Sequence, residues 1–256
     1  TGITGFAGSH LADLLLEKDV EVYGLKRTNS RLRNVAHVKD KIKWIDGDLI
    51  DLVSMINAVK ESRPNQIYHL GALSWVTPSW DMPAAYMQVN AIGTINLLEA
   101  VRMIGIDARV LVSCTPEEVG DVPEDQIPIT EETMLAPANP YAASKVAQNS
   151  VCLSYAASYG IKIIRTRAFN HEGPRRDKVF GIPWYAYQIA KIEKGLQEPL
   201  MKVGHIDDKR NFTHVQDMVH GYWLAVEKCE PGELYLIGSE EESHVCTFKE
   251  ALEQLI

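Results

Sequence analysis

The chain has 256 residues, of which 46% are hydrophobic and 23% charged, and its formal net charge is −8. That length supports a sizeable core in one or two lobes. The acidic balance excludes broad nucleic-acid binding, and no apolar run approaches the roughly 20 residues that span a bilayer.

The chain opens on Thr1-Gly2-Ile3-Thr4-Gly5-Phe6-Ala7-Gly8. Glycines at this spacing allow a tight turn and close approach of the backbone to a diphosphate, which the N-terminus of the following helix favours. Gly2, Gly5, Phe6 and Gly8 are therefore expected to cradle a dinucleotide. A helical pattern follows over Ser9 to Lys18, and Val20 to Leu25 reads as a strand. That strand ends at Lys26-Arg27, where an acidic residue would bind a ribose 2′-hydroxyl; Arg27 instead suits a 2′-phosphate, favouring NADP over NAD. The next strand, Ile42 to Ile45, leads to Asp48-Leu49. Asp48 either reaches the adenine edge or caps the helix expected over Leu52 to Ser62.

Gln66 to Leu70 reads as another strand, and Leu70, Gly71 and Ala72 are expected beside the cofactor. One long helix is expected over Ala84 to Ile104, then a strand over Arg109 to Ser113. Thr115 and Glu117 lie two apart as the chain leaves that strand. Extended geometry would put them on one face and aim Glu118 away. A carboxylate there can take a carbon-bound proton beside a carbonyl, and Thr115 can orient a sugar or a phenol. Cys114 has no neighbouring base and is not expected to be a nucleophile. The loop from Asp121 to Pro140, rich in Pro, Asp and Glu, is long enough to suggest a functional role. Tyr141 and Lys145, four apart, share one face of a helix expected over Tyr141 to Tyr159. A nearby ammonium, with the positive nicotinamide, would lower the phenol's pKa so that it can accept a hydroxyl proton. The strand Lys162 to Thr166 then leads to Asn170.

This alternation of strands and helices implies an α/β fold with a doubly wound parallel sheet. The candidate residues fall just past the carboxyl ends of its strands, where such sheets bind ligands. A strand is expected before Thr1, and Thr247 to Ile256 reads as the start of a helix, so residues are expected beyond both ends. Cys114, Cys152, Cys229 and Cys246 form neither a CxxC pair nor a cluster with His. They read as free thiols of a cytoplasmic protein, and no metal site is expected.

At these residues the chain resembles the extended short-chain dehydrogenase/reductases, in their sugar-nucleotide-modifying branch. The resemblance is carried by TGxxGFxG, Asp48-Leu49, the YxxxK helix, Gln126 to Glu132, and Arg167-Ala168-Phe169-Asn170-His171-Glu172-Gly173-Pro174-Arg175-Arg176. The last two stretches are similar to the GDP-mannose 4,6-dehydratases and the related GDP-4-keto-6-deoxymannose reductases. Thr115-Pro116-Glu117 matches the Thr-x-Glu of the dehydratases. The resemblance implies a Rossmann-like domain over residues 1–170, with 211–238 returning to it, and a smaller C-terminal substrate-binding lobe over 171–210 and 239–256. It implies Tyr141, Lys145, Glu117 and Thr115 as catalytic, Tyr141, Lys145, His171 and Arg175 as cofactor contacts, and Ser74, Asn170 and Arg210 as substrate contacts. It further implies NADP as cofactor, GDP-mannose as substrate, and a homodimer or homotetramer joined through the two long helices. Pro116, Val119 and Asn211 depart from the family pattern, and Pro116 is expected to bend the loop that carries Glu117. A 4-ketoreductase and a non-catalytic dinucleotide sensor stand as alternatives.

Overall fold

The computed structural model describes residues 1–240 and 245–256. Its elements follow the expected alternation. They are α1 (Phe6–Glu17), β1 (Tyr23–Lys26), β2 (Lys43–Asp46), α2 (Leu52–Ser62), β3 (Gln66–His69), α3 (Pro83–Tyr86), α4 (Gly93–Ile104) and β4 (Arg109–Cys114). After these come α5 (Pro140–Tyr159), β5 (Lys162–Ala168), β6 (Asn170–Glu172), α6 (Gly181–Glu193), β7 (Lys209–His214), α7 (Val215–Lys228), β8 (Leu234–Ile237), β9 (Val245–Thr247) and α8 (Phe248–Glu253).

The main sheet runs β3-β4-β5-β8 with every pair parallel, and β1 and β2 form a second parallel pair. Successive side chains on a strand point to opposite faces. Val110, Val112 and Ile163 accordingly pack into one core with Met55, Leu97, Leu98 and Cys152, under α2, α4 and α5. Leu111 and Ile164, each next to one of these in sequence, pack into the other with Leu11, Met218 and Tyr222, under α1 and α7. Burial on both faces explains why these strands read as unbroken apolar runs. Residues 1–3 run beside β3 and β1: the Thr1 amine donates to Tyr68 O at 2.8 Å, and Ile3 packs with Val22 and Ile42.

Two local features settle or depart from the sequence reading. The first is that Asp48, left open between two roles, does not cap α2. Asp51 does, its carboxylate accepting from the Val53 and Ser54 amides, while Asp48 Oδ1 accepts from Ile50 N at 3.2 Å. The second is that the expected helix over Ala84 to Ile104 is interrupted by a π-helical stretch, Met87–Ile92, between α3 and α4. The wider turn lets Asn90, fully buried, reach sideways. Its side chain bonds both the N–H and the C=O of Leu73 and donates to Ser144 Oγ at 2.9 Å. A competing side-chain bond, Thr94 Oγ1 to Asn90 O at 2.6 Å, occupies the carbonyl.

A smaller sheet places β7 between β6, parallel to it, and β9, antiparallel. α6 and α8 pack together beside it. Thr247 starts α8 through a reciprocal capping box with Glu250. Residues 241–244, part of the expected C-terminal lobe, lie outside the described residues. Among the described residues no helix is long and apolar enough to cross a membrane, and no group of His, Cys, Asp or Glu is placed to hold a metal. All four cysteines are free.

Candidate active site

A cleft of about 510 Å³ opens past the carboxyl ends of the parallel strands. Its floor is the glycine turn. Gly2 has a φ of +74°, and a Cβ there would lie 2.6 Å from the Gly71 nitrogen; at Gly8 a Cβ would lie 2.2 Å from Gly2 O. Only glycine lets α1 start this close to the turn, leaving the free amides at its N-terminus facing the cleft. That is the cradle a dinucleotide diphosphate fits. Gly5, Phe6, Arg27, Asp48, Leu49, Leu70, Gly71, Ala72 and His171 line the same cleft, as do Ser74, Thr115, Glu117, Tyr141, Lys145 and Asn170.

Thr115 and Glu117 reach the cleft by a route the strand period does not describe. Thr115 is the last extended residue, and Pro116 begins a short 3₁₀ turn over Pro116–Val119. Proline's fixed φ and missing N–H suit the first position of such a turn. Thr115 Oγ1 caps it, accepting from Glu117 N at 3.4 Å. The turn leaves Glu117 on the cleft wall, where its Oε2 accepts from Asn139 Nδ2 at 3.2 Å. Asn139 is also the N-cap of α5, accepting from Ala142 N at 2.8 Å. One residue thus joins the acidic turn to the helix that carries the phenol. The Asn-Pro pair ahead of Tyr141 is the sequence signal for this cap.

Tyr141 and Lys145 are both buried on the inner face of α5. The Tyr141 hydroxyl meets the Thr115 side chain. Burial pushes this phenol well above its ordinary range; the hydrogen bond from Thr115 acts the other way, and the charges of Glu117 and Glu118 push it further up. Burial lowers the Lys145 ammonium, and Cys114 and Glu118 oppose that shift. Among the protein's own groups burial therefore outweighs the expected lowering of the phenol by Lys145. Lys145 Nζ donates to Ser113 O at 2.5 Å and to Gln148 Oε1. Gln148 in turn donates to Thr94 Oγ1 at 2.9 Å, so the ammonium is tied through α4 to the π-helical stretch around Asn90.

Two expected residues stand elsewhere. Arg175 takes a φ of 72° and turns to α1, where it pairs with Asp13 at 2.7 Å. Its neighbour Arg176 lines the cleft instead, its guanidinium 5.2 Å from the Phe6 ring and 4.2 Å from the Phe180 ring. Glu172 lies 3.3 Å from Arg176, and burial raises its carboxyl to about 7 against that pairing. Two adjacent arginines gave no basis in sequence for choosing between them. Arg210 is outside the cleft, bonded to Lys209 O at 2.8 Å and 3.4 Å from Asp208. His171 stacks on Phe6 at 5.8 Å and donates from Nδ1 to Phe169 O at 2.9 Å; burial lowers it to about 4, so it is neutral near pH 7.

Comparison with known proteins follows the same lines. A GDP-mannose 4,6-dehydratase of Yersinia enterocolitica is 37% identical over 90% of this chain, which covers 64% of that protein. The GDP-mannose 4,6-dehydratase sdnI of Sordaria araneosa is 35% identical over the whole chain, which covers 47% of it. The chain thus spans between about half and two thirds of the length of these curated relatives. The structure of RMD from Pseudomonas aeruginosa complexed with NADPH superposes with a TM-score of 0.82 at 30% identity, covering 99% of this chain and 78% of that one. The family model for GDP-mannose 4,6 dehydratase matches residues 1–255, and the chain belongs to that family.

Proposed function

We propose that the protein is an NADP-dependent dehydratase that converts GDP-mannose to GDP-4-keto-6-deoxymannose. The observation that carries this reading is the presence of Glu117 in one cleft with Thr115, Tyr141 and Lys145. A phenol and an ammonium suffice for a redox step; a carboxylate beside them adds the base that an elimination needs. When bound, NADP supplies the hydride acceptor and donor. Tyr141 takes the proton from the sugar O4. Glu117 takes the C5 proton, made acidic by the new ketone, and gives it to the hydroxyl that leaves C6 as water; once C6 is reduced a proton returns to C5, matching in number the one Tyr141 took from O4. Thr115 orients the phenol, and Lys145 with the positive nicotinamide offsets the burial that holds the phenol's proton. Incubation with GDP-mannose and substoichiometric NADP⁺ tests the reading. A 4-keto-6-deoxy product formed over many turnovers supports it. NADPH oxidation by the 4-keto sugar, with no such product from GDP-mannose, would sink it in favour of a ketoreductase.

For the cofactor, Arg27 and Ser30 stand at the cleft mouth, and Lys26 is held by Asp46 at 2.5 Å. That leaves Arg27 as the cation for a 2′-phosphate. Arg27→Glu is expected to weaken NADP far more than NAD in a binding titration, and equal weakening would refute the contact. Arg176, rather than Arg175, is assigned to the cofactor on its place in the cleft. Ser74 and Asn170 are assigned to the sugar nucleotide, together with a substrate lobe built on β6, β7 and β9; Arg210 belongs to this set only if the bound substrate extends beyond the cleft. The exposed Met87 and Ile92 in the π-helical stretch, Met103 on α4 and Leu153 on α5 suit pairing of two copies. Four free thiols suit a reducing, cytoplasmic setting.

Thr115→Ala tests the orientation of the phenol through pH. The hydrogen bond from Thr115 lowers the Tyr141 pKa, so its loss raises it. The base acts deprotonated, so the rising limb of the kcat profile is expected to move to higher pH. A limb that stays in place would remove Thr115 from this role.

A further inference from the structure

Glu118 stands beside Glu117 in sequence and does not line the cleft. Its side chain is fully buried, and its Oε2 accepts from Asn149 Nδ2 at 3.0 Å and pairs with Arg167 Nη2 at 3.3 Å. Asn149 lies on α5, four residues past Lys145, and its Oδ1 accepts from Arg165 Nη1 at 2.8 Å. Arg167, on β5, is itself buried and donates from Nη1 to Thr130 O at 3.3 Å. The Glu118 carbonyl accepts from Ala136 N at 2.9 Å. One residue thereby ties the turn after β4 to α5, to β5 and to the long loop that ends at Pro140.

Stability is a poor reason for this arrangement. Removing two charges from water offsets most of their attraction, and an apolar pair of the same size is often as stable or more so. Here Glu118 Oε1 and Arg167 Nε also have no hydrogen-bond partner among the described residues. What the pair does provide is a fixed position for a four-residue turn. Among the described residues Glu117 has one side-chain anchor of its own, the 3.2 Å bond from Asn139, whereas its neighbour is held from two elements. Misplacing a reacting group by about 1 Å can cost on the order of a hundredfold in rate.

We propose that Glu118 is a positioning residue whose bonds to Arg167 and Asn149 set the Pro116–Val119 turn so that Glu117 stands on the cleft wall beside Tyr141. The proposal rests on the reading of Glu117 as the base of the elimination.

The test uses the full-length protein with NADP⁺ and GDP-mannose. Glu118→Met combined with Arg167→Met replaces the ion pair by apolar side chains of comparable size, and the thermal midpoint is expected to hold or rise. The expected kinetic result is a fall in kcat of about tenfold to a hundredfold with KM little changed. Bound NADPH should then accumulate in a single turnover, because oxidation at C4 persists while water loss stalls. A folded double variant with unchanged kcat overturns the proposal, and so does a loss confined to KM. Should the double variant not fold, Glu118→Gln removes the charge that pairs with Arg167 but keeps an oxygen for Asn149; it is expected to lower the thermal midpoint and to lower kcat by less than the double variant with KM little changed, and an unchanged kcat or a loss confined to KM overturns the proposal. Absence of any 4-keto-6-deoxy product from the unaltered protein would instead overturn the dehydratase reading, and this one with it.

Discussion

Tyr141→Phe is expected to lower kcat by at least about a hundredfold, the ordinary contribution of a positioned acid–base group. Phenylalanine fills the same buried space and keeps the edge-on packing with Tyr86, whose ring centre lies 6.3 Å away. What disappears is the hydroxyl that meets Thr115, and with it the acceptor for the O4 proton. NADP affinity should stay close to that of the parent, because the glycine cradle and Arg176 are untouched. In a single turnover no NADPH absorbance should develop from GDP-mannose. A variant that retains most of its kcat would remove Tyr141 from the chemistry and favour a dinucleotide-binding role without catalysis.

Glu117→Gln separates the two halves of the reaction. Glutamine keeps an oxygen to accept the Asn139 bond, so the turn should hold. It cannot take the C5 proton. Oxidation at C4 should continue while water loss falls by about a hundredfold to ten-thousandfold. Two readouts follow: bound NADPH builds up, and exchange of the C5 hydrogen with deuterated water stops. Dehydration at the parent rate would clear Glu117 of the role. These two variants fail differently, Tyr141→Phe before any NADPH forms and Glu117→Gln after it, which is what the division of labour in the cleft requires.

The local pattern carried much of the architecture. α2 has the bounds expected from its periodicity, because Asp51 caps its start and Arg63 closes its end in the left-handed region. The apolar runs of β4 and β5 were legible because both of their faces are buried. The glycine turn, the Tyr–Lys helix and the Thr–Glu pair could be placed on one edge from topology alone. What escaped the sequence depends on contacts between distant segments. The π-helical stretch forms because Asn90 reaches Leu73 and Ser144, neither of them near it in the chain. The choice of Arg176 over Arg175 turns on one backbone angle and on an ion pair with Asp13. The bend at Pro116 was expected, but not that the 3₁₀ turn it starts would send Glu118 inward to Arg167, a partner 49 residues away.

Following one hydrogen through the reaction tests the central claim most directly. With GDP-mannose deuterated at C4 and NADP⁺ held below the substrate concentration, the label should appear at C6 of the 4-keto-6-deoxy product, carried there by the bound cofactor without exchange. Label found in free NADPH, or a product without deuterium at C6, would contradict the account.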